Sequence, residues 1–139
     1  QERNIEKITI VNRTRERAEE LALMSGGQVA VAEWSKLSFQ LESADLVVNT
    51  TSLGMSGQPD LDLSLDPLGK NALVTDIVYV PLETNLLKQA RLRGNPVVDG
   101  LGMLLHQAVP GFEHWFGKRP VVTDALRHLV EDHITGIRA

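Results

Sequence analysis

Short apolar runs rich in Val, Ile and Leu alternate along this chain with longer stretches of helical periodicity, and no other feature constrains its fold as tightly. Ile8-Thr9-Ile10-Val11, Val29-Ala30-Val31, Leu46-Val47-Val48, Ala72-Leu73-Val74-Thr75-Asp76-Ile77 and Pro96-Val97-Val98 read as strands. Most are apolar throughout, the pattern of strands covered on both faces. A first helix starts after Thr14 as N-cap, with Glu16 in its first turn and Ala18, Leu21 and Ala22 as its stripe; Ser25-Gly26-Gly27 ends it. A second helix runs from about Thr84 to Arg93 and is closed by Gly94. A third spans Leu104 to Phe116, with a kink expected at Pro110, and an amphipathic helix runs from Val121 to Ile134. Residues 54–71 hold three glycines and two prolines and read as a loop. Strand–helix alternation of this kind builds an α/β domain, a parallel sheet with helices on both faces. A chain of 139 residues is long enough for one such domain with its own core.

In sheets of this class, ligands bind just past the carboxyl ends of the strands. That rule selects Asn12-Arg13-Thr14, Asn49 to Ser52, Asp76 to Tyr79, and Asp99-Gly100. Each alone reads equally well as an ordinary cap or turn. Polar residues at all four ends together point to a binding rim. The first is the most informative. The second strand of a dinucleotide-binding sheet normally ends in Asp or Glu, which bonds the ribose and repels a 2′-phosphate. Here the neutral Asn12 removes that repulsion. Arg13 and Arg17, four residues apart across a helix start, are spaced to close on one dianion, helped by the free amides of the helix N-terminus. This is chemistry for NADP over NAD, set against the plainer reading of a solvated arginine cluster.

Other functions are poorly served. With 14 Lys+Arg against 18 Asp+Glu the net charge is −4, and the basic residues near the N-terminus are interleaved with acids, so no nucleic-acid partner is expected. No apolar run approaches the ~20 residues of a membrane span, so no membrane partner is expected either. There is no cysteine, which removes thiolate sites and favours a reducing compartment. His106, His114, His128 and His133 form no i, i+4 pair, and no metal is expected. Asp60, Asp62 and Asp66 lack the glycine and terminal Glu of a calcium loop. Gly54-Met55-Ser56-Gly57 is not a nucleophile elbow.

Four motifs carry a resemblance. They are Asn12-Arg13-Thr14-x-x-Arg17-Ala18; the run from Ala44 to Met55 with Asn49-Thr50-Thr51-Ser52-Leu53-Gly54 at its end; Asp76-Ile77-Val78-Tyr79; and Asp99-Gly100-Leu101-Gly102-Met103-Leu104-Leu105 with Gln107-Ala108. In order and approximate spacing they resemble the C-terminal half of the shikimate dehydrogenases. The likeness covers nearly the whole chain, and the Asp-Gly-Leu-Gly-Met-Leu run with its downstream Gln is highly specific. It implies a Rossmann-like domain that binds NADP, in a cytoplasmic oxidoreductase reducing 3-dehydroshikimate to shikimate with NADPH on the route to chorismate and the aromatic amino acids. It also implies roles: Asn12, Arg13, Thr14 and Arg17 at the adenosine 2′-phosphate, Thr51 and Ser52 on the adenosine and diphosphate side, Ile77 and Gly100 at the nicotinamide end, and Tyr79 and Gln107 on the small-molecule substrate.

The residues fit those roles without requiring them. Gly100 and Gly102 flank a strand-to-helix turn, where a missing side chain lets a flat ring approach the backbone. Gln107, about one turn into the next helix, carries an amide that both donates and accepts. Read without the resemblance, Gln107 is an exposed helix residue and Tyr79 an interfacial aromatic. Phe112, Trp115 and Phe116 read as core or domain-interface packing.

The resemblance also marks what has no counterpart here. No residue matches the family's catalytic Lys and Asp, which belong to its N-terminal half, and the first strand and glycine loop of the nucleotide domain are missing. Residues 1–139, starting at Gln1 rather than Met and unlike a signal peptide, are therefore expected to be an N-terminally truncated C-terminal NADP-binding domain, a fragment without the substrate domain. Such a fragment is expected neither to turn over nor to bind NADPH tightly. In the order 3-2-1-4-5-6, loss of strand one leaves unpaired edges on the strands at Ile8–Val11 and Leu46–Val48, which invites rearrangement or a swapped or edge-paired homodimer. The alternatives are a quinate/shikimate dehydrogenase using NAD and a non-catalytic Rossmann-like binding module.

Overall fold

The structure, a computed structural model, describes residues 5–25 and 29–136. Gly26 and Gly27, expected at the end of the first helix, lie outside the described residues. The chain divides into two compact units, residues 1–44 with 64–69, and residues 45–63 with 70–139.

The first unit is a strand–helix–strand turn. Strand β1 (Ile8–Val11) leads into helix α1 (Arg15–Met24) and strand β2 (Val29–Ala32). β1 and β2 pair in parallel, from Ile8 opposite Val29 to Val11 opposite Ala32, and α1 packs on both. Ala18 is fully buried on α1, whereas Leu21, Leu23 and Met24 face solvent. A 3-10 turn at Trp34–Lys36 and the short helix α2 (Leu37–Leu41) follow, a pair of elements too brief for hydrophobic periodicity to reveal.

The second unit holds strands β3 (Leu46–Asn49), β4 (Leu73–Asp76) and β5 (Val97–Val98) with helices α3 (Asn85–Arg93), α4 (Gly100–Phe116) and α5 (Asp124–Thr135). The strands are parallel in the order β3-β4-β5. Val74, Val78, Leu86, Leu87, Ala90 and Leu101 form its core. Burying side chains the size of Leu87 and Leu101 contributes roughly 1.5–3 kcal/mol each. Gly94 ends α3 in the left-handed conformation, φ 88°, where a side chain would be strained. Among the described residues β1 pairs only with β2, and β3 only with β4, so each keeps one edge without a ladder partner.

Three expectations are corrected. The helix expected from Leu104 begins at Gly100, because Asp99 caps it there and both glycines take helical dihedrals in its first turn. Gln107 consequently sits about two turns into α4, not one. The expected kink point, Pro110, lies inside this one helix, where proline removes the donor to the carbonyl of His106. Of the two readings of the aromatic group, core packing is corrected and domain-interface packing is left standing: Phe112 and Phe116 pack ring to ring at 4.5 Å, yet both are exposed, as is Trp115. No helix among the described residues is long and apolar enough to cross a membrane.

Candidate functional site

The expected site residues fall in two places, one in each unit. In the first unit they surround the start of α1. Thr14 stands at the N-cap in an extended conformation, φ −100°, but its side chain accepts no amide, so α1 begins with backbone donors that no side chain satisfies. The contrast with the second unit is direct. Thr84, Asp99 and Thr123 each accept an amide at the starts of α3, α4 and α5. Asn12 is half-buried and neutral, and Arg13 and Arg17 are exposed. Neither arginine has a hydrogen bond or ion pair with a described residue.

Arg15, between them, is committed elsewhere. Its Nε donates to Glu19 at 2.7 Å and its Nη1 to Glu33, just past β2, at 2.8 Å. The hydrogen bond and charge of Glu19, then Glu33, raise its pKa. Of three arginines at this helix start, two are left to meet an anion. The dipole of α1 adds positive potential at the same point.

In the second unit the loops after β3 and β4 are fastened to each other. The register sets Asn49 opposite Asp76, both buried. Asn49 Nδ2 donates to Asp76 Oδ1 and to the carbonyl of Leu53, both at 3.0 Å. Asn49 Oδ1 accepts from the amide and hydroxyl of Thr51, at 3.0 and 2.8 Å. Asp76 also accepts from the Val78 amide at 3.0 Å and the Thr84 hydroxyl at 2.8 Å. Backbone bonds from Ile77 to Asn49 (3.0 Å) and from Ser56 to Val80 (2.9 Å) complete the fastening. Thr51 and Ser52 are thereby exposed on one loop, and Ile77 and Tyr79 half-buried on the other.

The start of α4 sits on the second of these loops. A Cβ at Gly100 would lie 2.4 Å from the carbonyl oxygen of Ile77 and 2.6 Å from that of Val78. The side-chain position of Gly100 is thus filled by backbone, so glycine is needed here for helix packing, whereas a Cβ at Gly102 would make only ordinary contact with Arg127 at 3.8 Å. Asp99 Oδ1 accepts the Leu101 amide at 3.0 Å, and Oδ2 accepts Arg127 Nη2 from α5 at 2.6 Å. The Asp99 hydrogen bond raises the pKa of Arg127 against the effect of burial. Gln107 is exposed on the second turn of α4.

A cavity of about 330 Å³ lies between α3, β5 and the starts of α4 and α5, lined by Leu87, Arg91, Val98, Asp99 and Arg127 among others. Of the rim residues selected from the sequence only Asp99 lines it, and none of the residues assigned to cofactor or substrate does. Asn49, Asp76, Asp99 and Arg127 organise the second unit; the sequence placed the first three on a binding rim without showing that they bond to the chain itself, and gave Arg127 no role. Polar residues at the ends of apolar strands were the available signal for the first three; Arg127 offered none.

Parallel strands joined by helices, with polar residues gathered past their carboxyl ends, define a Rossmann-like nucleotide-binding domain. Solved structures agree in architecture. The quinate dehydrogenase of Corynebacterium glutamicum in complex with NAD superposes with a TM-score of 0.82 at 31% identity, over 91% of this chain and 47% of that one. The shikimate 5-dehydrogenase of Thermus thermophilus in complex with NADP(H) and shikimate gives 0.72 at 31% identity, over 86% and 43%. The family model for shikimate / quinate 5-dehydrogenase matches residues 1–56, and that for the shikimate 5'-dehydrogenase C-terminal domain matches residues 100–128. Curated relatives named shikimate dehydrogenase (NADP(+)) are 58% identical over 126 residues in Paramagnetospirillum magneticum and 60% identical over 121 in Dinoroseobacter shibae. The chain belongs to the shikimate dehydrogenase family. It spans about half the length of the curated relatives it matches, 46% and 44% of these two.

Proposed function

We propose that this chain is the NADP(H)-binding part of an enzyme that reversibly reduces 3-dehydroshikimate to shikimate by hydride transfer. The observation that carries the reading is the start of α1: unsatisfied amides, a neutral Asn12, and two arginines without acidic partners among the described residues. A phosphate monoester fits that combination, through bidentate guanidinium contacts and backbone N–H groups. Asn12, Arg13, Thr14 and Arg17 would hold the adenosine 2′-phosphate, Thr51 and Ser52 would lie toward the adenosine and diphosphate, and Ile77 and Gly100 would meet the nicotinamide end. Tyr79 and Gln107 would orient the substrate, one by its hydroxyl and the other by its amide. When bound, NADPH supplies the hydride. No residue here is assigned to deliver the proton, so the 139 residues alone are expected to be inactive and to bind NADPH weakly.

The test is a calorimetric titration of NADP⁺ and NAD⁺ into the full-length enzyme carrying this sequence, before and after Arg13→Ala. The substitution should weaken NADP⁺ about tenfold, the loss typical of one charge-assisted contact, and leave NAD⁺ unchanged. Equal losses for both would overturn the reading in favour of an NAD-dependent enzyme, the cofactor of the quinate dehydrogenase neighbour.

Two further elements belong to this proposal. A cytoplasmic location suits a chain without cysteine, which has no stake in an oxidising compartment. The open edges of β1 and β3, with Ile8, Leu46 and Val48 exposed, suit edge pairing with a second copy when these 139 residues stand alone. Light scattering giving one chain per particle at high concentration would exclude that pairing.

A further inference from the structure

We propose that Asp76 is a positioning residue that couples the loop after β3 to the loop after β4, so that the Thr51–Ser52 turn and the Ile77–Tyr79 segment hold their places as one body. What the two loops hold rests on the functional reading above; the coupling is a property of the chain itself.

Asp76 is 1% exposed. A carboxylate that far from water must be met by donors, and Asp76 meets three, each from a different part of the unit. Asn49 comes from the end of β3, the Val78 amide from the loop after β4, and the Thr84 hydroxyl from the start of α3. Asp76 Oδ1 and the Leu53 carbonyl take the two donors of Asn49 Nδ2, and the Thr51 amide meets Oδ1, so the Asn49 amide faces one way only. That orientation sets the first loop. The same Nδ2 reaches the Leu53 carbonyl, Oδ1 takes both the amide and the hydroxyl of Thr51, and the hydroxyl in turn accepts the Leu53 amide at 3.1 Å. Asn49 has no bonding capacity left over, so its amide cannot turn without breaking all four contacts. Losing Asp76 removes one of the four contacts that hold the Asn49 amide, the one that ties it to the second loop, and the loosening reaches Thr51 and Leu53, which Asp76 does not touch.

The second loop is held from the same atom. Oδ1 of Asp76 receives both Asn49 and the Val78 amide, so the two loops share one oxygen. Gly100 then rests on the carbonyls of Ile77 and Val78, which extends the coupling to the start of α4.

Amide hydrogen exchange on the 139-residue chain, without ligand, tests this. In Asp76→Ala, exchange should accelerate about tenfold or more at Val78, Thr51 and Leu53 together, the factor expected when a bond to a charged group is lost. Val74 in β4 reports global opening and should change less. In Asn49→Ala, exchange at Val78 should accelerate, since coupling is reciprocal. Acceleration at Val78 alone in Asp76→Ala, or an unchanged Val78 in Asn49→Ala, overturns the proposal. If Asp76→Ala unfolds, Asp76→Asn carries the test, with a smaller acceleration at Thr51 and Leu53 expected and none overturning it. Added NADP⁺ separates the two readings. Slowing at Thr51 and Val78 together in the full-length enzyme supports both; a full-length enzyme that does not respond, with the mutational coupling intact, supports the coupling and removes only the functional reading.

Discussion

The start of α1 and the start of α4 follow strands of the same kind, yet they treat their polar groups in opposite ways. α4 is closed on itself. Its cap is filled by Asp99, that cap is gripped by Arg127, and its first residue is pressed against backbone. α1 leaves its first amides without a side-chain acceptor and holds two arginines in water. A helix end that satisfies itself builds a platform. One that does not leaves its donors open to water or to a ligand. The difference separates residues that fix geometry from residues available to a ligand, although all lie at strand ends and look alike in sequence.

Substitutions break or sharpen this contrast in order of size. Asp76→Ala strikes the closed region hardest, leaving three buried donors unmet. Urea unfolding should show a loss of about 4 kcal/mol. Gly100→Ala follows. Helix propensity favours alanine by up to about 1 kcal/mol, but contacts of 2.4–2.6 Å with Ile77 and Val78 force α4 to shift. Overpacking costs about 3 kcal/mol, so a net loss near 2 kcal/mol is expected in the same assay. Arg13→Ala belongs to the open region and should leave stability within about 0.5 kcal/mol while NADP⁺ affinity falls about tenfold. Smallest is Thr14→Asp, which supplies the acceptor that α1 lacks. Thermal unfolding should show a gain of about 0.5 kcal/mol, and NADP⁺ should bind more weakly because the new carboxylate faces its phosphate. If Thr14→Asp raised both stability and NADP⁺ affinity, the open end would not be a phosphate site.

Much of the fold was legible because buried parallel strands write themselves as apolar runs; all five are present within two residues of where the runs lie. What escaped depends on partners distant in sequence. The start of α4 reads as a glycine-rich turn, since glycine is a poor helix former, but Asp99 caps a helix there, and its other oxygen is held by Arg127, 28 residues later. The Asn49–Asp76 pair is 27 residues apart and becomes a pair only through the β3–β4 register. Phe112, Trp115 and Phe116 carry the composition of a core but lie exposed on α4. At the candidate site, the arginine pattern at Arg13 and Arg17 was readable, because both belong to one helix start. The commitment of Arg15 to Glu33 was not, because β2 brings that partner from elsewhere.

Asp99 divides its two oxygens between near and far. One binds the amide two residues on, and the other waits for an arginine 28 positions downstream. One carboxylate thus starts one helix and anchors the next, so any change at Asp99 loosens the two together.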